Sequence, residues 1–171
     1  MARFLTEYSW VLDLFFRSAI VGLGACAILD LWSLLVSLYL RTPKPDFTMM
    51  GRWLLHHFQG RFAHESIAAS PALPQERPAG WAFHYAVGWL FAVVTMWIGG
   101  PQWAQSPTLW PAMLVGWVTV GLGWFWLQPA MGLGFAGAKT PNPARVRLLG
   151  LLGHTVFGLA MFAIAWAIRG I

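Results

Sequence analysis

Four long apolar runs alternate with polar segments along the chain. Each is long enough, at about 1.5 Å per helical residue, to cross roughly 30 Å of hydrocarbon. We therefore predict an all-α, polytopic membrane protein with four transmembrane helices in a bundle. The predicted spans cover residues 18–40, 81–98, 109–127 and 148–168.

The segments outside these spans predict one domain with two further features. Residues 1–16 mix charged and apolar side chains and are expected to form an interfacial extension ahead of a single membrane domain, residues 17–171. The longest polar segment is the loop 41–80, in which Met49–Phe58 has the pattern of a short amphipathic helix on the membrane surface. Pro43 and Pro45 are expected to end the first span.

The third span is followed by residues that the pattern alone does not assign. Helix from Leu109 to Ala138 would be about 45 Å long, which is too long for one straight crossing. Pro129 is expected to kink or break it. Residues 128–138 then form either a broken or re-entrant helix that lines a cavity, or a tightly packed turn.

The basic residues indicate an orientation. Eight Lys and Arg side chains lie in the first and third loops, three lie at the chain ends, and none lies in the second loop. Because cytoplasmic loops carry the excess of such residues, we expect both basic loops in the cytoplasm of a bacterial inner membrane and both termini outside. The net charge of +5 is explained by this pattern and by anionic lipid, so we expect no nucleic-acid partner.

Composition supports this class. The chain is 58% hydrophobic and only 10% charged, whereas a soluble domain carries about a quarter charged residues. Twelve Trp and eighteen Gly fit interfacial anchoring and close helix packing. Cys26 is the only cysteine, so no disulfide within the chain can form. Leu23–Cys26 resembles a lipoprotein cleavage site, but the apolar stretch before it is short and the run continues to Leu40.

Two histidines share one motif. Gly80, His84 and Gly88 have the same spacing as Gly150, His154 and Gly158. A spacing of four places each trio on one helix face, where glycine allows close packing and the histidine points into the contact. Val-Gly-Leu-Gly also occurs at 21–24 and at 120–123. Together these echoes predict a two-helix unit that is duplicated in the chain.

A polar intramembrane site is predicted from four residues. Asp30 lies inside the first span, on the same face as Ser18, Gly22 and Cys26, and an ionisable group at that depth normally faces the bundle. With His84, Gln128 and His154 it is expected to form a polar ladder from the cytoplasmic side. This ladder has three interpretations: haem b ligated by His84 and His154, quinone or proton handling, or a hydrogen-bonded structural network.

Other polar residues give weaker signals. Arg52, Arg61 and Arg77 are expected to contact lipid phosphates, or alternatively an anionic substrate head. His56, His57, His64 and Glu65 lack the spacing of a known metal motif, so no metal site is predicted. The sequence also lacks GxSxG, P-loop and dinucleotide-binding signatures.

The chain resembles a bacterial family known as domain of unknown function 2938. The resemblance covers about Arg17 to the C-terminus and implies a small polytopic membrane protein, without an assigned activity or catalytic residues. It rests on Gly51-Arg52-Trp53, Gly60-Arg61-Phe62 with His64 and Ser66-Ile67-Ala68, Gly80-Trp81 with His84-Tyr85, Gln128-Pro129 with Met131-Gly132-Leu133-Gly134, Thr140-Pro141-Asn142-Pro143, and His154 with Val156-Phe157-Gly158.

These observations favour a membrane-embedded binding or accessory subunit over an enzyme. The expected partners of this protein are the lipid bilayer and either other membrane subunits or a second copy of the chain. One alternative is a small proton-coupled transporter that acts as a homo-oligomer. Another is a membrane enzyme acting on lipid or quinone, or a b-type haem protein.

Overall fold

The computed structural model describes residues 9–42 and 44–170, which fold into helices joined by loops and contain no strand. Four of the helices are long and apolar enough to cross a membrane, which confirms the four-span prediction. Five helices carry the architecture: α1 (Ser9–Tyr39), α2 (Thr48–His57), α3 (Glu76–Gly99), α4 (Leu109–Leu122) and α5 (Pro143–Ala167).

The helix boundaries differ from the predicted spans mainly at the N-terminal ends. Helix α1 begins at Ser9 and runs without interruption through the predicted start at Ser18. Residues 1–8 lie outside the described residues, so the predicted division at residue 16 stays a prediction. Pro43, one of the two predicted helix stops, also lies outside them. The helix itself ends at Tyr39, before either proline.

The predicted amphipathic helix is α2, and an Asx turn at Asp46 precedes it. The Asp46 carboxylate accepts hydrogen bonds from the hydroxyl and, at 2.9 Å, from the backbone N–H of Thr48. These bonds hold the pKa of Asp46 below its ordinary value. Helix α2 packs extensively on the start of α3. It is therefore docked on the bundle as well as being amphipathic.

The four spans are arranged with α1 between α3 and α5, and with α4 packed on α5. Helices α3 and α4 contact each other much less than the other neighbouring pairs do. The core enclosed by the four spans consists largely of small and aliphatic side chains, among them Val21, Ala92, Ala112 and Met161. Outward-facing Leu, Phe and Trp side chains are exposed, as expected for surfaces in contact with lipid.

The contact between α1 and α3 follows the stripe of small residues recognised in the sequence. Trp89 Nε1 donates a hydrogen bond to Ser18 Oγ at 2.9 Å. A Cβ at Gly22 would lie 2.6 Å from the Cα of Trp89, so the two backbones are too close for a side chain. Cys26 Sγ lies 3.9 Å from the His84 carbonyl oxygen one turn further along. The stripe therefore sets α1 directly against α3.

A similar glycine contact joins α4 and α5. A Cβ at Gly116 would lie 2.6 Å from the His154 carbonyl oxygen and 3.4 Å from Gly158 Cα. Both histidine motifs thus lie in close helix pairs, α3 with α1 and α5 with α4. The two Val-Gly-Leu-Gly segments do not occupy equivalent packing positions. Gly22 contacts the facing helix, whereas a Cβ at Gly121 would meet only the ring of Phe125.

The end of the third span is broken after Ala130. A π-helical turn, Gly123–Leu127, follows α4, and a last helical turn, Gln128–Ala130, contains Pro129. The wider turn ends two residues before Pro129, which lacks the N–H needed for regular helix. The chain then turns back through Gly132 and Gly134, both with positive φ, to the 3-10 turn Phe135–Gly137.

A Gly116→Ala substitution should destabilise the bundle by about 1–3 kcal/mol, because the new methyl group overlaps the His154 carbonyl oxygen. Gly123→Ala is the matched control, since nothing lies within 4 Å of a Cβ at that position. The thermal unfolding midpoint of each purified variant in mild detergent measures the difference. Equal midpoints for the two variants would contradict the close contact between α4 and α5.

Candidate functional site

The polar centre of the bundle is a cluster of Asp30, His84 and Tyr85. His84 Nε2 lies 3.0 Å from Asp30 Oδ1, and Tyr85 donates its hydroxyl to Asp30 Oδ2 at 2.9 Å. Both carboxylate oxygens are therefore bonded. The His84 and Asp30 side chains are only 12% and 17% exposed. This arrangement supplies the partners that a carboxylate requires at membrane depth.

The local sequence explains why these side chains meet. Asp30 lies one turn beyond Cys26 on the stripe that packs on α3, and His84 lies one turn before Gly88 on the facing helix. Small residues at the contact bring the two helix axes close enough for an aspartate to reach an imidazole. The Asp30–His84 pair is thus a product of glycine packing combined with the helical period of four.

Phe47 covers the His84 ring from the loop side. The two rings are stacked, with centroids 4.1 Å apart and planes inclined by 14°. Phe47 is held in place because Gly80 lies directly against its backbone carbonyl, with no room for a Cβ. The residue before α2 therefore closes one side of the polar cluster.

His154 has a different environment, on α5. Its Nδ1 lies 3.1 Å from the Gly116 carbonyl oxygen and 3.1 Å from Thr119 Oγ1. A carbonyl oxygen can only accept, so the hydrogen of the neutral ring is on Nδ1. The other nitrogen, Nε2, then keeps its lone pair. His154 is therefore prepared to accept a hydrogen bond or to ligate a metal through Nε2.

A cavity of about 760 Å³ brings these residues together. Asp30, His84 and His154 all line it, with contributions from the four spanning helices and the segment before α2. Most of its wall is apolar, formed by residues such as Val87, Phe91 and Leu149. Its size and its few converging polar groups are typical of a binding site for a small molecule.

The structure brings three of the four residues of the predicted ladder to one cavity. Gln128 does not line the cavity. Its Oε1 is buried without a hydrogen-bond partner among the described residues. It lies in the last helical turn of the third span, whose Ala130 carbonyl accepts a hydrogen bond from the backbone of His64. Gln128 therefore lies two residues before the point at which the first loop is hydrogen-bonded to the end of the third span.

The arrangement of the histidines offers only one ready haem ligand. The Nε2 of His154 has a lone pair, whereas the Nε2 of His84 is bonded to Asp30 and its ring is stacked on Phe47. A haem ligated through Nε2 of both histidines would have to break the Asp30–His84 bond. The geometry favours hydrogen bonding to a ligand over paired axial ligation.

Arg52 has an internal role in the structure. It is buried and forms a bidentate ion pair with Glu76, at 2.8 Å for both nitrogens. Its remaining nitrogen donates to backbone carbonyls of the first loop, and the bonds to Glu76 raise the pKa of Arg52. These carbonyls belong to Ile67, Ala68 and Ser70. Its role is to fix the loop on α3, so we retain only Arg61 and Arg77, which are exposed, as candidates for lipid phosphate.

The loop histidines form a separate interface. His56 Nε2 lies 3.0 Å from the Pro71 carbonyl oxygen, and the His56 and His64 rings are 5.1 Å apart. No group of three His, Cys, Asp or Glu side chains among residues 9–42 and 44–170 is placed to share a metal ion. His64 instead helps to dock the first loop on the third span, where its backbone N–H donates to Ala130.

Sequence reasoning missed three residues of the site. Tyr85, which completes the bonding of Asp30, was recognised only as part of the family motif beside His84. Thr119 lies one turn from the centre of the Gly116 contact and looks like an ordinary span residue. Phe47 lies in a polar loop and gives no signal in the sequence, because its role depends on how that loop folds back onto α3.

The sequence comparison identifies the family of the chain. The family described as "Protein of unknown function (DUF2938)" matches residues 19–168. The chain belongs to this family. The match includes every residue of the cavity and of the docked loop, so the DUF2938 region contains the whole candidate site. No curated protein and no solved structure matches the chain.

Arg52→Lys should loosen the docked loop of this DUF2938 protein, because lysine cannot form the bidentate pair with Glu76. We expect a loss of about 1–3 kcal/mol in stability and faster proteolytic cleavage within residues 59–75. Arg61→Lys, at an exposed position, is the matched control. Unchanged cleavage and unchanged stability in Arg52→Lys would show that the ion pair does not hold the loop.

Proposed function

We propose that this DUF2938 protein is a membrane-embedded binding protein whose intramembrane cavity holds a small amphiphilic molecule. The observation that carries the proposal is the convergence of the Asp30–His84 pair and His154 on one apolar cavity of about 760 Å³. Polar side chains at this depth cost free energy, and they normally serve a ligand or a transport path.

The two histidines give the cavity distinct hydrogen-bonding properties. His154 offers a lone pair at Nε2, and the Asp30–His84 pair supplies a second polar wall. An apolar tail would contact the aliphatic and aromatic lining. This division between a polar end and an apolar wall suits an amphiphile better than a water-soluble metabolite.

The proposed location is a bacterial inner membrane, with both basic loops in the cytoplasm and both termini outside. Backbone hydrogen bonds between His64 and Ala130, and between Ile67 and Met131, support one part of this topology. They require the first and third loops to lie on the same side of the membrane. The excess of Lys and Arg in those loops supports the cytoplasm as that side.

A small proton-coupled transporter is the second candidate, and the Asp30–His84 pair favours it. A carboxylate and an imidazole in contact inside a membrane form a group that can bind and release a proton. In this case the cavity would be the substrate site. Asp30→Asn would then abolish proton-coupled uptake in proteoliposomes while binding at equilibrium persists.

Photoaffinity labelling tests the binding proposal. A long-chain alcohol that carries a diazirine and an alkyne is incorporated into proteoliposomes, and labelled peptides are mapped by mass spectrometry. We expect labelling at side chains that line the cavity on α1 and α5, such as Trp32, Val36, Leu149 and Phe157. His154→Phe should reduce it about tenfold, since one hydrogen bond to a partly buried group contributes about 1–1.5 kcal/mol.

His57→Phe is the matched control, because His57 lies outside the cavity. His154→Gln provides a second, smaller change in case the phenylalanine disturbs packing. Labels scattered over lipid-facing side chains, or equal cavity labelling in all the variants, would refute the proposed site.

A further inference from the structure

We infer that the cavity takes a neutral, lipid-soluble molecule with a hydroxyl or N–H donor, and that this molecule enters from the bilayer between α3 and α4. The inference rests on the proposed function and specifies both the ligand class and its route. Three observations carry it: the open side of the bundle, the residues around that opening, and the state of the polar groups.

The bundle is least closed between α3 and α4. Helix α1 packs extensively on both α3 and α5, and α4 packs closely on α5. The remaining side, where α3 faces α4, has few contacts. Because no polar loop can cover a gap at membrane depth, an opening there faces lipid.

Residues of the cavity wall mark this opening. Leu90 on α3, Leu122 on α4 and Trp126 in the π-helical turn all line the cavity. They are also 55%, 49% and 56% exposed. A side chain that is both part of the wall and half exposed lies at an edge where the cavity meets its surroundings. The cavity is therefore continuous with the hydrocarbon at the α3–α4 side.

The polar groups restrict the chemistry of the ligand. Both oxygens of Asp30 are already bonded, to His84 and Tyr85, and the described residues that line the cavity include no Lys or Arg, so the wall carries no fixed positive charge for an anionic head. With its Nδ1 directed at the Gly116 carbonyl oxygen, His154 can accept a hydrogen bond from a ligand donor at Nε2. A neutral lipid with an alcohol, phenol or N–H head satisfies these groups and gains from the apolar lining. On the loop side, Phe47 covers His84, and the exposed Asp46 lines the edge of the cavity.

The test blocks the proposed route without touching the polar residues. Leu90→Trp and Leu122→Trp, singly and combined, place bulk at the edge of the cavity. Leu114→Trp is the matched control, since Leu114 is 41% exposed on α4 but lies outside the cavity wall. The diazirine alcohol is delivered from donor vesicles, and cavity labelling is followed as a function of incubation time before the light flash.

We expect the combined variant to label at least fivefold more slowly than the wild type and the Leu114→Trp control to match the wild type. A reversible block separates closure of the route from misfolding of a variant. Leu122→Cys is modified with a bulky methanethiosulfonate reagent, which should slow cavity labelling, and a reductant should restore the labelling rate. Native Cys26 is 1% exposed but lines the cavity, so the wild type treated with the same reagent is the control.

The possible outcomes distinguish a wrong proposed function from a wrong route or ligand class. If the wild type shows no cavity labelling, the proposed function itself fails. If the wild type labels the cavity and both blocked proteins label it equally fast, the proposed function stands and the lateral route is overturned. A short-chain, water-soluble diazirine alcohol that labels the cavity as well as the long-chain probe would overturn the lipid-soluble ligand class.

Discussion

The close contact between α1 and α3 is the constraint on which the rest of the molecule depends. At Gly22 the backbones of the two helices are too close to admit a Cβ atom. At Gly88 the Cys26 sulfur occupies the place that a Cβ atom would take. In a membrane, where burial of apolar surface provides no driving force between helices, such close packing stabilises association. The same contact determines the position of Asp30, because it brings the first helix within reach of His84. Stability and the polar site therefore share one structural cause.

The docked first loop likewise contributes both to the stability of the protein and to the site. Its interior is held by Arg52 and Glu76, a buried ion pair that links α2 to the start of α3. Loss of either partner would leave a charge buried without compensation. Because Phe47 comes immediately before α2 and stacks on His84, the position of the loop also determines how the cavity is covered. A segment that resembles a surface loop in the sequence is thus part of the site.

The cavity differs from an ordinary packing defect in the arrangement of its polar groups. His84 and Asp30 satisfy each other, whereas His154 uses one nitrogen for Gly116 and retains a lone pair on the other. The unequal environments of two histidines with the same flanking glycines show that the motif sets helix packing, while the surroundings set the chemistry.

The sequence by itself determined the class of fold, the four spans and the amphipathic helix, because hydropathy and the helical period are local properties. It also predicted that Asp30 faces a neighbouring helix, since a spacing of four defines a face. Only the tertiary structure decided which residues meet: Asp30 pairs with His84, Gln128 is separated from the cavity, and Arg52 turns inward to Glu76. Pairing between distant residues depends on helix order, on the depth of each helix in the bundle and on the fold of the loops, and a single sequence contains no local signal for these.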